Sequence, residues 1–303
     1  MKSMKSVVSM MCIILLILIS AGCGHNYAET GTVIISGKDA VKLIGISGTV
    51  LVDAQKATSY AKEHAAGAVN ISRGDIVVKK QVSNMLAPAD VIETVMGSRG
   101  ISNDTPVIIY DDNNNMDAAR LWWTLLVYGH TNTKVVSGGL QELTRQGVEI
   151  TTVTVSAKAA TFKASSANSS LIADLADVVA QVDNPDDNTV LIDTRSLDEF
   201  NAGTIPGSVF LNYEGNNYQD GTIRSVQNIK LRYKEEDIMP NNTIITYCKS
   251  SIRGAQTIMA LYNAGYRNLK LYDGAWLEWS LDANRPVQMP ETVKIQSNFQ
   301  DNS

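Results

Sequence analysis

The sequence predicts an α/β protein made of two copies of one domain, each a mostly parallel sheet covered by helices on both faces. Three observations carry that prediction. Short β-branched, apolar runs alternate with stretches of helical period, the pattern of strands joined by crossover helices. The two halves of the chain echo each other at a slowly drifting offset, as two copies of one fold with small loop insertions would. A length of 303 residues also suits two domains, each able to bury its own core.

Taken in order, the first stretch stands apart from the fold. Lys2 and Lys5 make a basic start, and residues 7–19 are an almost unbroken apolar run, too short for a comfortable membrane span. The run ends in Ser20-Ala21-Gly22-Cys23, which resembles a bacterial lipoprotein cleavage site. That resemblance implies removal of residues 1–22 and lipid on Cys23, tethering the protein outside the cytoplasm at a bacterial cell membrane. A plain secretory leader and an uncleaved anchor are the competing readings. Cys12 would leave with the leader, and if Cys23 carries lipid, Cys248 has no intramolecular disulfide partner. Loss of Lys2 and Lys5 makes a net charge of −5 more negative still. An acidic surface with no basic cluster argues against a nucleic-acid partner.

Residues 30–150 form the first copy. Val50–Asp53, Val107–Tyr110 and 134–136 read as strands, and 88–97 and 118–128 as helices, with Leu121, Leu125 and Tyr128 at helical spacing. Residues 151–170, rich in Thr, Ser and Ala, read as a partly extended linker. The second copy occupies 171–290. Its expected strands are 190–193, Thr243–Tyr247 and 268–272, and its clearest helices are 174–182 and 254–264. Residues 291–303 are a polar tail. Leu51-Val52-Asp53 matches Leu191-Ile192-Asp193 at an offset of 140, Tyr110-Asp111 matches Tyr247-Cys248 at 137, and Gly139 matches Gly274 at 135.

The second copy holds the chemistry. Thr243–Tyr247 runs into Cys248-Lys249-Ser250-Ser251 and then into an Ala/Met/Leu-rich helix. A thiol at that junction faces the unpaired N–H groups and positive dipole end of the helix, which favour the thiolate. Arg253 adds a fixed cation. In parallel sheets ligands bind beyond the carboxyl ends of the strands, which is where Cys248 falls.

The segment Cys248-x-x-x-x-Arg253 resembles the active-site loop of the rhodanese sulfurtransferases, and three further blocks resemble family motifs in the family's order. They are Leu191-Ile192-Asp193-Thr194-Arg195 with Glu199-Phe200, then Gly203-Thr204-Ile205-Pro206-Gly207-Ser208, then Tyr272-Asp273-Gly274-Ala275-Trp276. The resemblance implies two tandem rhodanese-like domains. It also implies sulfur transfer by double displacement, through a persulfide on Cys248, from a small donor to a thiol or cyanide acceptor. No metal or organic cofactor is implied, since N–H groups and cations stabilise both charged states.

The same resemblance distributes roles. Cys248 and Arg253 are the catalytic pair, Arg253 ordering the loop by pairing with its helix or a carboxylate. Arg195, Lys249, Ser250 and Ser251 are expected to bind substrate, with a surface ion pair as the alternative for Arg195 and solvent for Lys249. Asp193 is expected to tie the loop together. Trp276 and Trp279 are expected to line the cleft or sit in the core. Lys249-Ser250 is intermediate between the loops that go with thiosulfate and those that go with 3-mercaptopyruvate; the cation favours thiosulfate, a doubly charged anion.

In the first copy Asp111 takes the nucleophile's place, followed by Asp112-Asn113-Asn114-Asn115. Met116 or Asp117 stands where Arg253 would, with Arg120 beyond. A carboxylate cannot accept sulfur, so this copy is expected to be inactive, packing against the second and walling its cleft. Oxygen ligands for Ca²⁺ in that run are a minor alternative, because the spacing is irregular. His25, His64 and His130 all lie outside the second copy, which argues against a Cys–His hydrolase. A Cys-dependent phosphatase would place five residues between Cys and Arg, one more than here. The remaining rival is a tethered binding or sulfur-carrier protein without turnover.

Overall fold

A computed structural model of the protein describes residues 33–290. Residues 1–32, with the expected leader and Cys23, and residues 291–303 lie outside the described residues. Each copy is built on a five-stranded parallel sheet. The first runs in the order Ile34–Ile35, Thr133–Val136, Val107–Tyr110, Val50–Asp53, Val69–Asn70. The second runs Ile172–Ala173, Leu269–Tyr272, Thr243–Tyr247, Thr189–Asp193, Val209–Phe210, the same order with the same crossovers. The long strands are covered on both faces, which is why they read as unbroken apolar runs rather than as alternations. The edge strands are two residues long, too short for a period to mark them in the sequence.

Register decides what the carboxyl edge presents. Thr189–Asp193 pairs with Thr243–Tyr247 residue for residue, bringing Asp193 beside Tyr247. Cys248 is therefore the first residue past the sheet. The helices Met116–Val127 and Ile252–Asn263 follow the central strands of the two copies, each starting two residues earlier than the apolar period indicates.

Those two helices pack on each other, with Trp122 edge-on to Tyr262 at 5.3 Å between ring centroids. One hydrophobic cluster consequently runs through both copies, from Ile34 and Trp123 to Met259 and Leu271. Each large side chain fully buried there contributes on the order of 1.5–3 kcal/mol. Polar ties reinforce the junction: Asn263 Oδ1 accepts from the N–H groups of Val33 and Ile34, and Ile223 N donates to Ser137 Oγ at 2.8 Å.

The 151–170 connection is extended but not free. Ala160 N donates to Gly97 O, Ser165 N to Tyr128 O and Asn168 N to Val127 O, while Phe162 is buried. Gly97 makes the approach possible, because a Cβ there would sit 2.8 Å from Ala160 O.

Candidate active site

Cys248 is 1% exposed, so its sulfur admits only a small reagent. Two sets of backbone groups fix its loop. The carbonyls of Cys248 and Lys249 accept from Trp276 N at 2.9 Å and Leu277 N at 3.1 Å, which ties them to the helix Ala275–Trp279. With the carbonyls turned that way, the N–H groups are left over: among the described residues, no protein group accepts from the backbone N–H of Lys249 through Gly254. Ser251 closes the loop with a left-handed backbone, φ 67°, rare for a residue with a Cβ. The product is a run of unshared donors at a helix N-terminus beside a thiol, suited to an anion.

Arg253 lies against this cradle. Its Nη1 and Nη2 fork onto the Glu199 carboxylate, and the Cys248 sulfur lies close enough to act on its charge. Glu199 is presented by a capping box in which Ser196 and Glu199 satisfy each other's backbone N–H groups. The Arg253 hydrogen bond holds Glu199 down to about 2. Burial opposes the charge on Arg253, but Glu199 and the Cys248 sulfur outweigh it and push the guanidinium above its ordinary value. A permanent cation thus stands beside the nucleophile.

Among the residues around this pair, Arg195 departs from its expected place. Arg195 is 2% exposed. Its Nε and Nη2 bond Asp193, Nη2 also donates to Gly203 O at 2.6 Å, and its guanidinium lies 4.3 Å over the Trp276 ring. It is neither an open substrate-binding group nor a surface ion pair. It is a brace under the helix that holds the Cys248 carbonyl. Asp193 accepts from Arg195 N, Thr204 Oγ1 and Tyr247 Oη as well, knitting the strand ends below the loop. Burial, followed by Asp193, raises the Tyr247 hydroxyl well above its ordinary value. Trp279 is core, its Nε1 donating to Pro286 O, and Trp276 is half-buried against Arg195.

The loop serines divide. Ser250 is half-buried and its Oγ accepts from Asn84 Nδ2 at 3.1 Å. Ser251 is buried; its hydroxyl donates to Ser250 O and accepts from Arg120 Nη1. That removes Ser251 Oγ from the expected set of donor-binding hydroxyls. Lys249 is exposed at the rim. Asn84 and Arg120 belong to the first copy and were not among the expected site residues. The available signal was an arginine inside an otherwise apolar helix, beside Trp122-Trp123, but nothing in the sequence says what it faces.

The first copy has the same cradle with its own occupant. Leu140 N donates to Asp111 O as Trp276 N does to Cys248 O. That sets Gly139, φ 55°, opposite Ala275, φ 56°, and shifts by one the match of Gly139 to Gly274. Asn115, φ 59°, stands opposite Ser251, so the inserted residue lies between Asp111 and Asn115, and Asp117 takes the place of Arg253. The charges are reversed accordingly: Arg73 pairs with Asp117 at 2.6 Å. The Asp111 carboxylate accepts from the N–H groups of Asn113, Asn115 and Ala118, filling the space a sulfur would need. Burial, then Asp117, pushes Asp111 up to about 7. A cavity of about 650 Å³ opens over it, lined in part by Glu63, Asp112 and Arg145. Among the described residues no group of three or more His, Cys, Asp or Glu is arranged to hold a metal ion. His64 and His130 are committed to hydrogen bonds inside the first copy.

Fold and site together define a parallel α/β protein whose one cysteine among the described residues stands beside a run of unshared backbone donors. The model of the rhodanese-like domain matches residues 36–146 and again 175–282. The chain belongs to this family, as two tandem copies. A protein of Saccharopolyspora erythraea, provisionally named a thiosulfate sulfurtransferase, is 27% identical over 277 residues, covering 86% of this chain and 97% of that one. The thiosulfate sulfurtransferase of Bos taurus is 26% identical, covering 73% of this chain and 78% of its own length. Among solved structures, the SseA 3-mercaptopyruvate sulfotransferase of Escherichia coli superposes with a TM-score of 0.73 at 23% identity. The match spans 81% of this chain and 99% of that one.

Proposed function

We propose that this protein is a sulfurtransferase that carries a sulfane sulfur on Cys248, with thiosulfate as the preferred donor. The Cys248 thiolate attacks the outer sulfur of the donor. A new S–S bond forms, the donor's own S–S bond breaks, and its electron pair leaves on sulfite. An acceptor thiolate or cyanide then attacks the outer sulfur of the persulfide and regenerates the Cys248 thiolate. Charge balances in both steps, and neither needs an outside oxidant or reductant.

One observation carries this reading: the N–H groups of residues 249–254, which follow Cys248 directly into a helix N-terminus, have no acceptor among the described residues and are free to hold a persulfide anion. Their counterparts in the first copy hold the Asp111 carboxylate, so the geometry accepts an anionic group of about that size. Arg253 supplies positive charge in both half-reactions, and burial keeps water from the persulfide. With Arg195 enclosed, the preference for thiosulfate rests on Lys249 at the rim and Arg253 behind it. Thiol and cyanide are the acceptor classes, and the donor and acceptor need no further cofactor.

The test is turnover by wild type and Cys248→Ser with thiosulfate and 3-mercaptopyruvate, together with intact mass after donor treatment. The expected result is one added sulfur atom on wild type, removed by cyanide, and none on Cys248→Ser. Faster turnover of 3-mercaptopyruvate would reassign the donor. Persulfide without turnover would make the protein a sulfur carrier. As a further part of the proposal, the sequence around Cys23 supports a lipid anchor, placing this chemistry outside the cytoplasm at the membrane surface.

A further inference from the structure

We infer that Arg120, from the copy that has no nucleophile, is a positioning residue for sulfur transfer. It holds Ser251 in the left-handed conformation that aims the loop N–H groups at Cys248. The inference deepens the sulfurtransferase reading and rests on it.

Arg120 is wholly buried. Its Nη1 donates to Ser251 Oγ at 2.8 Å. Its Nη2 donates to Asn84 O at 3.0 Å and pairs with Asp273 Oδ1 at 2.8 Å. Asp273 Oδ2 in turn accepts from Leu86 N at 2.7 Å. Asn84 completes the circuit, its Nδ2 reaching Ser250 Oγ. Both residues between Lys249 and the helix are therefore gripped from the other copy, Ser250 by Asn84 and Ser251 by Arg120.

Stability alone does not account for this arrangement. The helices Met116–Val127 and Ile252–Asn263 already meet through apolar packing. A buried ion pair in such a place adds little that an apolar side chain of the same size would not. Arg120 even leaves its Nε without an acceptor, a cost that persists beside the Trp123 ring. What an apolar residue cannot do is hold the Ser251 hydroxyl. That hydroxyl donates to Ser250 O at 2.7 Å, so one side chain pins both the position of Ser251 and the direction of the preceding carbonyl. A residue with a Cβ at φ 67° relaxes toward negative φ when its partners are removed. Relaxation would rotate the N–H groups of the loop away from the sulfur.

The test compares Arg120→Lys in the wild-type loop and in a Ser251→Gly loop, since glycine takes the left-handed backbone without support. Lysine keeps the charge opposite Asp273 and loses the fork. The single-turnover rate of Cys248 persulfide formation from thiosulfate is read beside KM and the melting temperature. In the wild-type loop, Arg120→Lys should lower the rate about ten- to hundredfold with KM changed far less, as expected for sub-ångström misplacement of donors. In the Ser251→Gly background the same substitution should cost no more than about twofold, the mark of coupling through Ser251. Equal losses in the two backgrounds, or no loss in either, overturn the proposal. If Arg120→Lys does not fold, Ser251→Ala serves instead, because it deletes only the hydroxyl that Arg120 grips. A rate drop at unchanged melting temperature then supports the proposal, and a wild-type rate overturns it. A wild type that forms no persulfide at all would strike the sulfurtransferase reading itself, and is scored before any variant.

Discussion

Arg253 and Glu199, fifty-four residues apart, meet as a fork on a carboxylate beside the nucleophile, with Nη2 to Oε1 at 2.9 Å. The pair keeps the cation of the site charged and in place at any ordinary pH. Its own pH limit lies on the acid side. Glu199 is lowered from 4.5 to about 2 on folding, so its contribution is fully present above pH 4.5 and is lost as pH falls toward 2. Wild type should therefore lose melting temperature faster than Glu199→Gln over that window, and the two should converge near its lower end. Thermal scans at stepped pH check this, with the gap kept modest by the partial exposure of the pair.

Asp111→Ala should leave sulfur transfer near the wild-type level while lowering stability. Two buried N–H groups and one half-buried one lose their acceptor, a loss on the order of 2–4 kcal/mol. The sign of the pH dependence follows from the raised carboxyl, about 7 in the folded chain against 3.8. The folded state binds that proton more tightly, so the stabilisation by Asp111 declines as pH rises from 3.8 to about 7. The melting-temperature deficit of Asp111→Ala should be larger at acid than at alkaline pH. Loss of activity in a normally folded Asp111→Ala would show a chemical role for the first copy's loop.

Lys249→Ala should reduce kcat/KM for thiosulfate by roughly two- to fivefold, the scale of an exposed charge. The loss should shrink as salt is added. 3-Mercaptopyruvate, with one charge fewer, should lose less. Equal losses on both donors would remove Lys249 from donor selection.

Arg195→Ala should act on folding before it acts on substrate. It leaves Asp193 buried and unpaired and strips the face of Trp276, at a cost of about 3–5 kcal/mol. The expected result is a large fall in melting temperature with the thiosulfate to 3-mercaptopyruvate ratio unchanged in whatever remains folded. A stable variant with an altered ratio would return Arg195 to the donor site.

Native protein should lack residues 1–22 and carry acyl mass on Cys23, two or more chains being needed for stable attachment. Intact mass of membrane-extracted protein checks it. Unmodified protein released to the medium would leave a plain secretory leader.

Much of this molecule is legible along the chain. The repeat, the strands Val107–Tyr110 and Thr243–Tyr247, and the placing of Cys248 past a strand end and before a helix are local properties. Apolar β-branched runs, a polar turn and a helical period each leave their mark within a dozen residues. Arg253 is legible for the same reason, being five residues from Cys248. The tertiary structure decided the rest. Arg195 and Ser251 carry polar groups that suit substrate or scaffold equally well, and only burial against Asp193, Trp276 and Arg120 turned both into scaffold. Glu199 became the partner of Arg253, and Asn84 and Arg120 became parts of the Cys248 loop, through contacts that span 54, 166 and 131 residues of chain. A hydrogen bond across such a distance depends on how two sheets and two helices dock, and that docking is set by the summed packing of a shared core, which no short stretch of sequence records.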